Sequence, residues 1–304
     1  MKTKRSGLTV IEILVVVGII ALLVGLLLPA VHTVQKMAKD TKQKAQLTAI
    51  ELGLAAFKND YGDFPPSNWW DPSTSVSGMA RDYCGAQKLA EALLGWDLLG
   101  FHPESVWRSD GLDANRTVNS VYWEKEVDDN ALKKRKGRYI DLENANAFML
   151  GGGIDALFPG AVDPLAPRTY VLCDVYPVNE RKVRLSDGKV VSPGTPILYY
   201  RANPANLRHD PPSLDRTSAC IYDARDNIPL VNLGRLADAT KTVRDSHWFL
   251  ADFKAPGFDY FYEHIRDRRV TARNWPYRPD SYLLISAGSD GIYGTDDDIR
   301  NFGN

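Results

Sequence analysis

Four carboxylates crowd the end of this 304-residue chain: Asp290, Asp296, Asp297 and Asp298 stand in SYLLISAGSDGIYGTDDDIRNFGN, interleaved with Gly288, Gly291 and Gly294. Acids on so short a loop repel one another unless they share a cation. Ca²⁺ suits such a site, because it takes about six to eight oxygens in irregular geometry and mixes carboxylates with backbone carbonyls. The spacing is not that of an EF-hand, whose ligands alternate along about twelve residues and close with Glu. A solvated acidic turn is the plain alternative. A second acid, Glu12, is the one charge within the apolar run from Leu8 to Val31. A carboxylate in such a run costs roughly 2 to 4 kcal/mol in a membrane unless it is paired or near the interface.

Other constellations carry less chemistry. His32, His102, His209, His247 and His264 form neither HExxH nor a zinc-type cluster. Glu263, His264 and Asp267 imitate part of an acid–base site on an expected helix, but surface or capping roles account for them. No GxSxG elbow is present, and Gly151-Gly152-Gly153 lacks the Lys-Ser/Thr of a phosphate loop. The run Lys133-Lys134-Arg135-Lys136 reads as a solvated loop. Trp69-Trp70 and the other tryptophans could stack on sugars, although most aromatics are simply core. No catalytic residue is expected.

Composition bounds the class. With 37 basic and 38 acidic residues the net charge is -1, which gives no positive field for nucleic acid. An apolar fraction of 44% and a charged fraction of 25% are those of a folded globular protein. Cys84, Cys173 and Cys220 are too few for a disulfide scaffold; one bridge or none is open.

Positioning these groups requires a long first helix. Leu8 to Val31 is long enough for a membrane span of about 30 Å, and Lys2, Lys4 and Arg5 ahead of it place the amino end in the cytoplasm by the positive-inside rule. Val34, Met37, Ala38, Thr41, Ala45, Thr48, Leu52 and Ala55 then recur at three or four residues, so the helix continues to about Lys58. It stops before Tyr61-Gly62-Asp63-Phe64-Pro65-Pro66, where Gly and two prolines forbid continuation. Further helices are expected at 87–99, 144–150 and 259–268. Strands are expected at 169–176, 182–185, 189–191, 197–201 and 282–286, with a hairpin turn at Ser186-Asp187-Gly188. The sum is α+β: a transmembrane and stalk helix packed on a small antiparallel sheet, with long loop insertions near 100–160 and 203–275.

The string Gly7-Leu8-Thr9-Val10-Ile11-Glu12-Ile13-Leu14 after a basic leader resembles the class III signal of type IV pilins and type II secretion pseudopilins. Pro29 matches a position where pilin helices often carry proline, and the end of the chain resembles the calcium loop of major pseudopilins. The resemblance covers residues 1–66 and 280–304, and the chain is about twice the length of major pseudopilins.

This resemblance implies a pilin-like roll and cleavage by a prepilin peptidase between Gly7 and Leu8, with methylation of the new amino terminus. The organisation would be a leader at 1–7, an assembly helix at 8–31, a stalk at 32–60 and an extracytoplasmic domain at 61–304 with a calcium loop at 286–299. Leu8 and Glu12 are one helical turn apart, so the amine of one subunit could neutralise Glu12 of a neighbour. Side-chain ligands for Ca²⁺ would be Asp290, Asp297 and Asp298, with backbone oxygens of Ala287 and Ile292. The function implied is that of a structural subunit of a secretion-like or pilus-like filament for protein export. Its partners would be copies of itself, other pseudopilins, the peptidase and an inner-membrane assembly platform, with no nucleic acid. Its place would be the inner membrane, single-pass, with the C-terminal domain periplasmic. The alternative is a membrane-anchored carbohydrate-binding or carbohydrate-active domain.

Overall fold

The computed structural model describes residues 9–69, 82–111, 121–122, 129–160, 165–185, 187–211, 214–238, 247–251 and 259–303. The chain divides into two compact units, Met1–Lys42 and Gln43–Asn304. Helix α1, Val10–Tyr61, starts in the first and ends in the second.

Among the described residues no helix is long and apolar enough to cross a membrane. This corrects the expected transmembrane segment over 8–31 and, with it, the single-pass inner-membrane location. Helix α1 itself does not end with the apolar run but continues to Tyr61. Beyond Val31 the helix turns polar, with Lys36, Lys39, Asp40 and Lys42 on it. Residues 1–8, including Gly7 and Leu8, and the side chain of Pro29 lie outside the described residues.

In the second unit α1 docks through Gln43, Gln46, Leu47, Ile50, Gly53, Leu54 and Phe57, a repeat of three and four that keeps one face inward. This is not the stripe expected from Val34, Met37 and Leu52, which are exposed. Two glutamines explain the difference. Gln46 Nε2 donates to the carbonyls of Ala145 and Cys173 at 3.2 and 2.8 Å, and Gln43 Oε1 accepts the Val175 N–H at 2.9 Å. Polar residues that satisfy backbone groups at a buried seam are invisible to an apolar count.

The core is organised by a three-stranded antiparallel sheet, β5-β6-β7, formed by Leu198–Arg201, Tyr282–Ser286 and Ile299–Arg300. Leu198 pairs with Ile285 and Arg201 with Tyr282, while Ile285 also faces Arg300. Alternation at period two sends Tyr199, Tyr282 and Leu284 to one face, against Leu47, Ile50 and Leu54 of α1 and Leu89 and Leu93 of α2 (Gly85–Leu94). Leu198, Tyr200, Leu283 and Ile285 go to the other face, where they join α5 (Ile228–Val231), α6 (Trp248–Ala251) and α7 (Asp259–Ile265). Both faces are therefore covered, which is why β6 is apolar at nearly every position.

Among the described residues the single sheet of the sequence reading is three. There Ala147–Met149 (β1) pairs with Tyr170–Leu172 (β2), and Val183–Arg184 (β3) with Val190–Val191 (β4). The regions read as long loops hold short helices, among them α3 (Asp129–Lys134) and α4 (Leu142–Ala145). The helix expected at 144–150 ends at Ala145, because Asn146 takes a left-handed φ of 51° and its amide donates to the carbonyls of Cys173 and Asp174. Helix α2 stops at Leu94 rather than Leu99. Gly95 has φ 86°, and a Cβ there would lie 2.2 Å from the Gly100 carbonyl oxygen, so the chain doubles back where only glycine fits. Cys84, Cys173 and Cys220 are all buried and unbridged. Ser186, in the expected turn, and Trp70 lie outside the described residues.

Candidate functional site

The C-terminal loop leaves β6 at Ser286 and re-enters the sheet at β7. Gly288, at φ 64°, is obligatory: a Cβ there would sit 2.2 Å from the Asp297 carbonyl oxygen. Asp297 is the centre of the loop. Its Oδ2 accepts from Ser289 N–H at 2.8 Å, Ser289 Oγ at 2.8 Å and Asp290 N–H at 3.1 Å, and its Oδ1 accepts from Thr295 Oγ1 at 2.6 Å. Asp290 Oδ1 accepts the Ile292 N–H at 2.7 Å, and Arg235 donates to the Asp290 carbonyl at 2.9 Å.

These contacts divide the acids. Burial pushes the Asp290 carboxyl above its ordinary range, and the neighbouring Asp297 charge adds to the effect. Burial also works against ionised Asp297, but hydrogen bonds from Thr295 and Ser289 outweigh it and hold its carboxyl below the usual range. Asp298 faces elsewhere. Its Oδ2 accepts from Gly294 N–H at 2.8 Å and stands 3.0 Å from His264 Nε2, close enough for an ion pair but too poorly aligned for a hydrogen bond. Burial raises the Asp298 carboxyl despite His264, and its Oδ1 is buried without a partner.

The structure thus brings Asp290 and Asp297 together and separates Asp298 from them. Among the described residues no three His, Cys, Asp or Glu side chains converge on a point that could hold a metal ion. Of the expected side-chain ligands, Asp290 and Asp297 stand together, while Asp298 is turned toward His264. Of the two backbone oxygens, that of Ile292 accepts from Thr295 Oγ1 at 3.3 Å, and Ala287 is buried. Asp296 is exposed.

A support for this loop escaped the sequence. Asp174, fully buried just after β2, accepts the N–H groups of Tyr176 and Thr195 on Oδ1 at 3.1 and 3.0 Å and meets Ser286 Oγ at 3.0 Å on Oδ2. It ties the start of the loop to two segments more than eighty residues upstream. Burial drives its carboxyl up to about 8, against those hydrogen bonds. On the far side, His247 Nδ1 accepts the Tyr293 N–H at 3.2 Å, and burial lowers this imidazole to about 4. Nothing in the local sequence marks either residue, since each acts through chain distant from it.

At the other end of the chain, Glu12 lies in the first turn of α1 and is exposed. Its Oε2 accepts the N–H and hydroxyl of Thr9, both at 2.8 Å, and its own N–H donates to Thr9 Oγ1 at 3.3 Å. These bonds hold its carboxyl below the usual range.

The discounted enzyme constellations are engaged in ion pairs. Glu263 is bridged by Arg266 and Arg268, and Asp267 by Arg269. In the basic run, Lys134 pairs with Glu104, Arg135 with Asp97 and Lys136 with Asp60. Comparison with family models, curated proteins and solved structures finds no match to the chain.

Proposed function

We propose that this chain is a structural subunit, a pseudopilin-like building block of a secretion-like or pilus-like filament that serves protein export, and that its copies associate through the N-terminal part of α1. The observation that carries this reading is the apolar surface of that helix. Val10 and Ile11 are 78% and 74% exposed, and Val15, Ile19, Leu22, Leu27 and Met37 are exposed with them. A contiguous apolar surface of this kind marks an interaction site. Its natural cover is the same helix of other copies, because like surfaces then exclude water together. A single acid on such a surface fixes register, since only a stagger that supplies a cation to Glu12 avoids burying it alone.

Cleavage between Gly7 and Leu8 by a prepilin peptidase would supply that cation as a free amine. The same reading gives the C-terminal loop Ca²⁺, taken first by the Asp290–Asp297 pair; Asp298 would have to leave His264 to join them.

Sedimentation of the chain beginning at Leu8, over a range of concentrations, tests the proposal. Growth into large assemblies is expected, and growth should fail when Val15 and Ile19 are both changed to Ser. A monomer at every concentration would overturn the reading, as would unaltered assembly in that double variant.

A further inference from the structure

We infer that a cleft between α6, α7 and the loop at 294–296 binds an acidic saccharide, with the sugar ring against Trp248 and Tyr260 and its carboxylate on Arg268. The cleft has a volume of about 610 Å³ and lies within the second unit. Trp248 and Tyr260 line it, 51% and 49% exposed, with ring centroids 5.9 Å apart in an edge-to-face arrangement. Two large rings left half in water offer apolar faces that a sugar's C–H face can cover.

Polar groups of both kinds surround the rings. Glu263 is held by Arg266 at 3.2 Å and Arg268 at 3.0 Å, and Arg300 donates to the His264 carbonyl at 3.1 Å. Tyr277, Thr295 and Asp296 also line the cleft. A sugar's ring of hydroxyls needs this mixture of donors and acceptors.

Charge selects the acidic class. Three guanidinium groups, on Arg266, Arg268 and Arg300, face two carboxylates, on Glu263 and Asp296. A guanidinium carries more N–H donors than one shared carboxylate can occupy, and its planar fork matches a second carboxylate. Arg266 Nε is in fact buried without a partner, and the Arg268 side chain is 77% exposed. A phosphate-dense ligand would meet more repulsion from Glu263 and Asp296 than one with a single carboxylate per ring.

The test is isothermal titration calorimetry of the full chain with trigalacturonate, with maltotriose and triglutamate as controls. Saturable binding of trigalacturonate is expected, at least about tenfold tighter than either control. Arg268→Glu, at an exposed position, and Trp248→Ala should each weaken it by about tenfold or more while leaving the circular dichroism spectrum unchanged. The inference is overturned by no heat of binding up to about 10 mM trigalacturonate. It is overturned equally by maltotriose or triglutamate binding as tightly, or by wild-type affinity in Arg268→Glu. Filament assembly is not read by this experiment, so its outcome is separate from that of the subunit proposal.

Discussion

Thr9 and Glu12 cap one another at the start of α1: the Thr9 N–H donates to Glu12 Oε2 at 2.8 Å, and the Glu12 N–H donates to Thr9 Oγ1 at 3.3 Å. This is the capping-box pattern, in which two otherwise unpaired donors of a helix end are satisfied reciprocally. It gives Glu12 a local role that the reading of the apolar run did not contain. The two roles separate by substitution. Thr9→Ala removes the cap and keeps the charge, so it should fray the first turn in hydrogen exchange yet leave assembly intact. Glu12→Ala removes both and should abolish assembly. Equal defects in the two variants, measured by sedimentation, would reduce Glu12 to a cap.

Calcium should raise the melting temperature if the loop binds it, because a ligand bound only by the folded chain stabilises it. At about a hundred times its dissociation constant the gain is about 2.7 kcal/mol. Asp297→Asn should remove the response. An unchanged melting temperature with Ca²⁺ and with chelator would dispose of the metal and leave the loop as a hydrogen-bonded turn centred on Asp297.

Buried acids set the pH dependence. Burial lifts Asp174 and Asp226 from 3.8 to about 8 and Glu91 from 4.5 to about 7. Between the ordinary and raised values the folded chain holds more protons than the unfolded one. Their contribution is therefore complete at low pH and is lost as pH rises through about 7 to 8. The lowered His247 works oppositely, but only below its ordinary 6.5. Thermal melts should accordingly show stability falling between pH 6.5 and pH 8.

Asp174→Asn should flatten part of that slope. The amide oxygen can accept from Tyr176 and Thr195, and its NH₂ can donate to Ser286 Oγ. Asp174→Ala leaves those two N–H groups unmet and should cost about 1–3 kcal/mol at any pH, read by chemical denaturation.

The seam of α1 can be dissected the same way. Leu54→Ala, at a fully buried site, should cost about 2–5 kcal/mol. Gln46→Ala strands the Ala145 carbonyl, leaves that of Cys173 with only the Asn146 amide, and should cost about 1–3 kcal/mol. Comparable losses would establish that polar and apolar residues hold this helix alike.

What could be read from the sequence was what acts locally. Strand β6 coincides with the expected 282–286, and α1 ends at Tyr61, where Gly62 takes φ 85° ahead of the two prolines. The face on which α1 docks was misjudged, because Gln43 and Gln46 look solvated until the carbonyls they meet are known. Residues 144–150 carry a weak helical pattern that loses to pairing with β2, a partner more than twenty residues away. In the C-terminal loop the acids were legible and their grouping was not. Whether Asp298 stands with Asp297 or with His264 depends on where α7 packs, which no spacing within the loop encodes. The aromatic and arginine residues of the cleft come from four separate segments and leave no common motif.

The three cysteines have a practical consequence. Burial holds the thiols of Cys84 and Cys220 up near about 12 and 11, and that of Cys173 is raised as well. No disulfide joins these cysteines, so the folding yield should not depend on the redox state of the surroundings. The native thiols also form a silent background for labelling. A single cysteine placed at exposed Leu207 should be the one that reacts with a maleimide in the folded chain, and all four should react once the chain is unfolded.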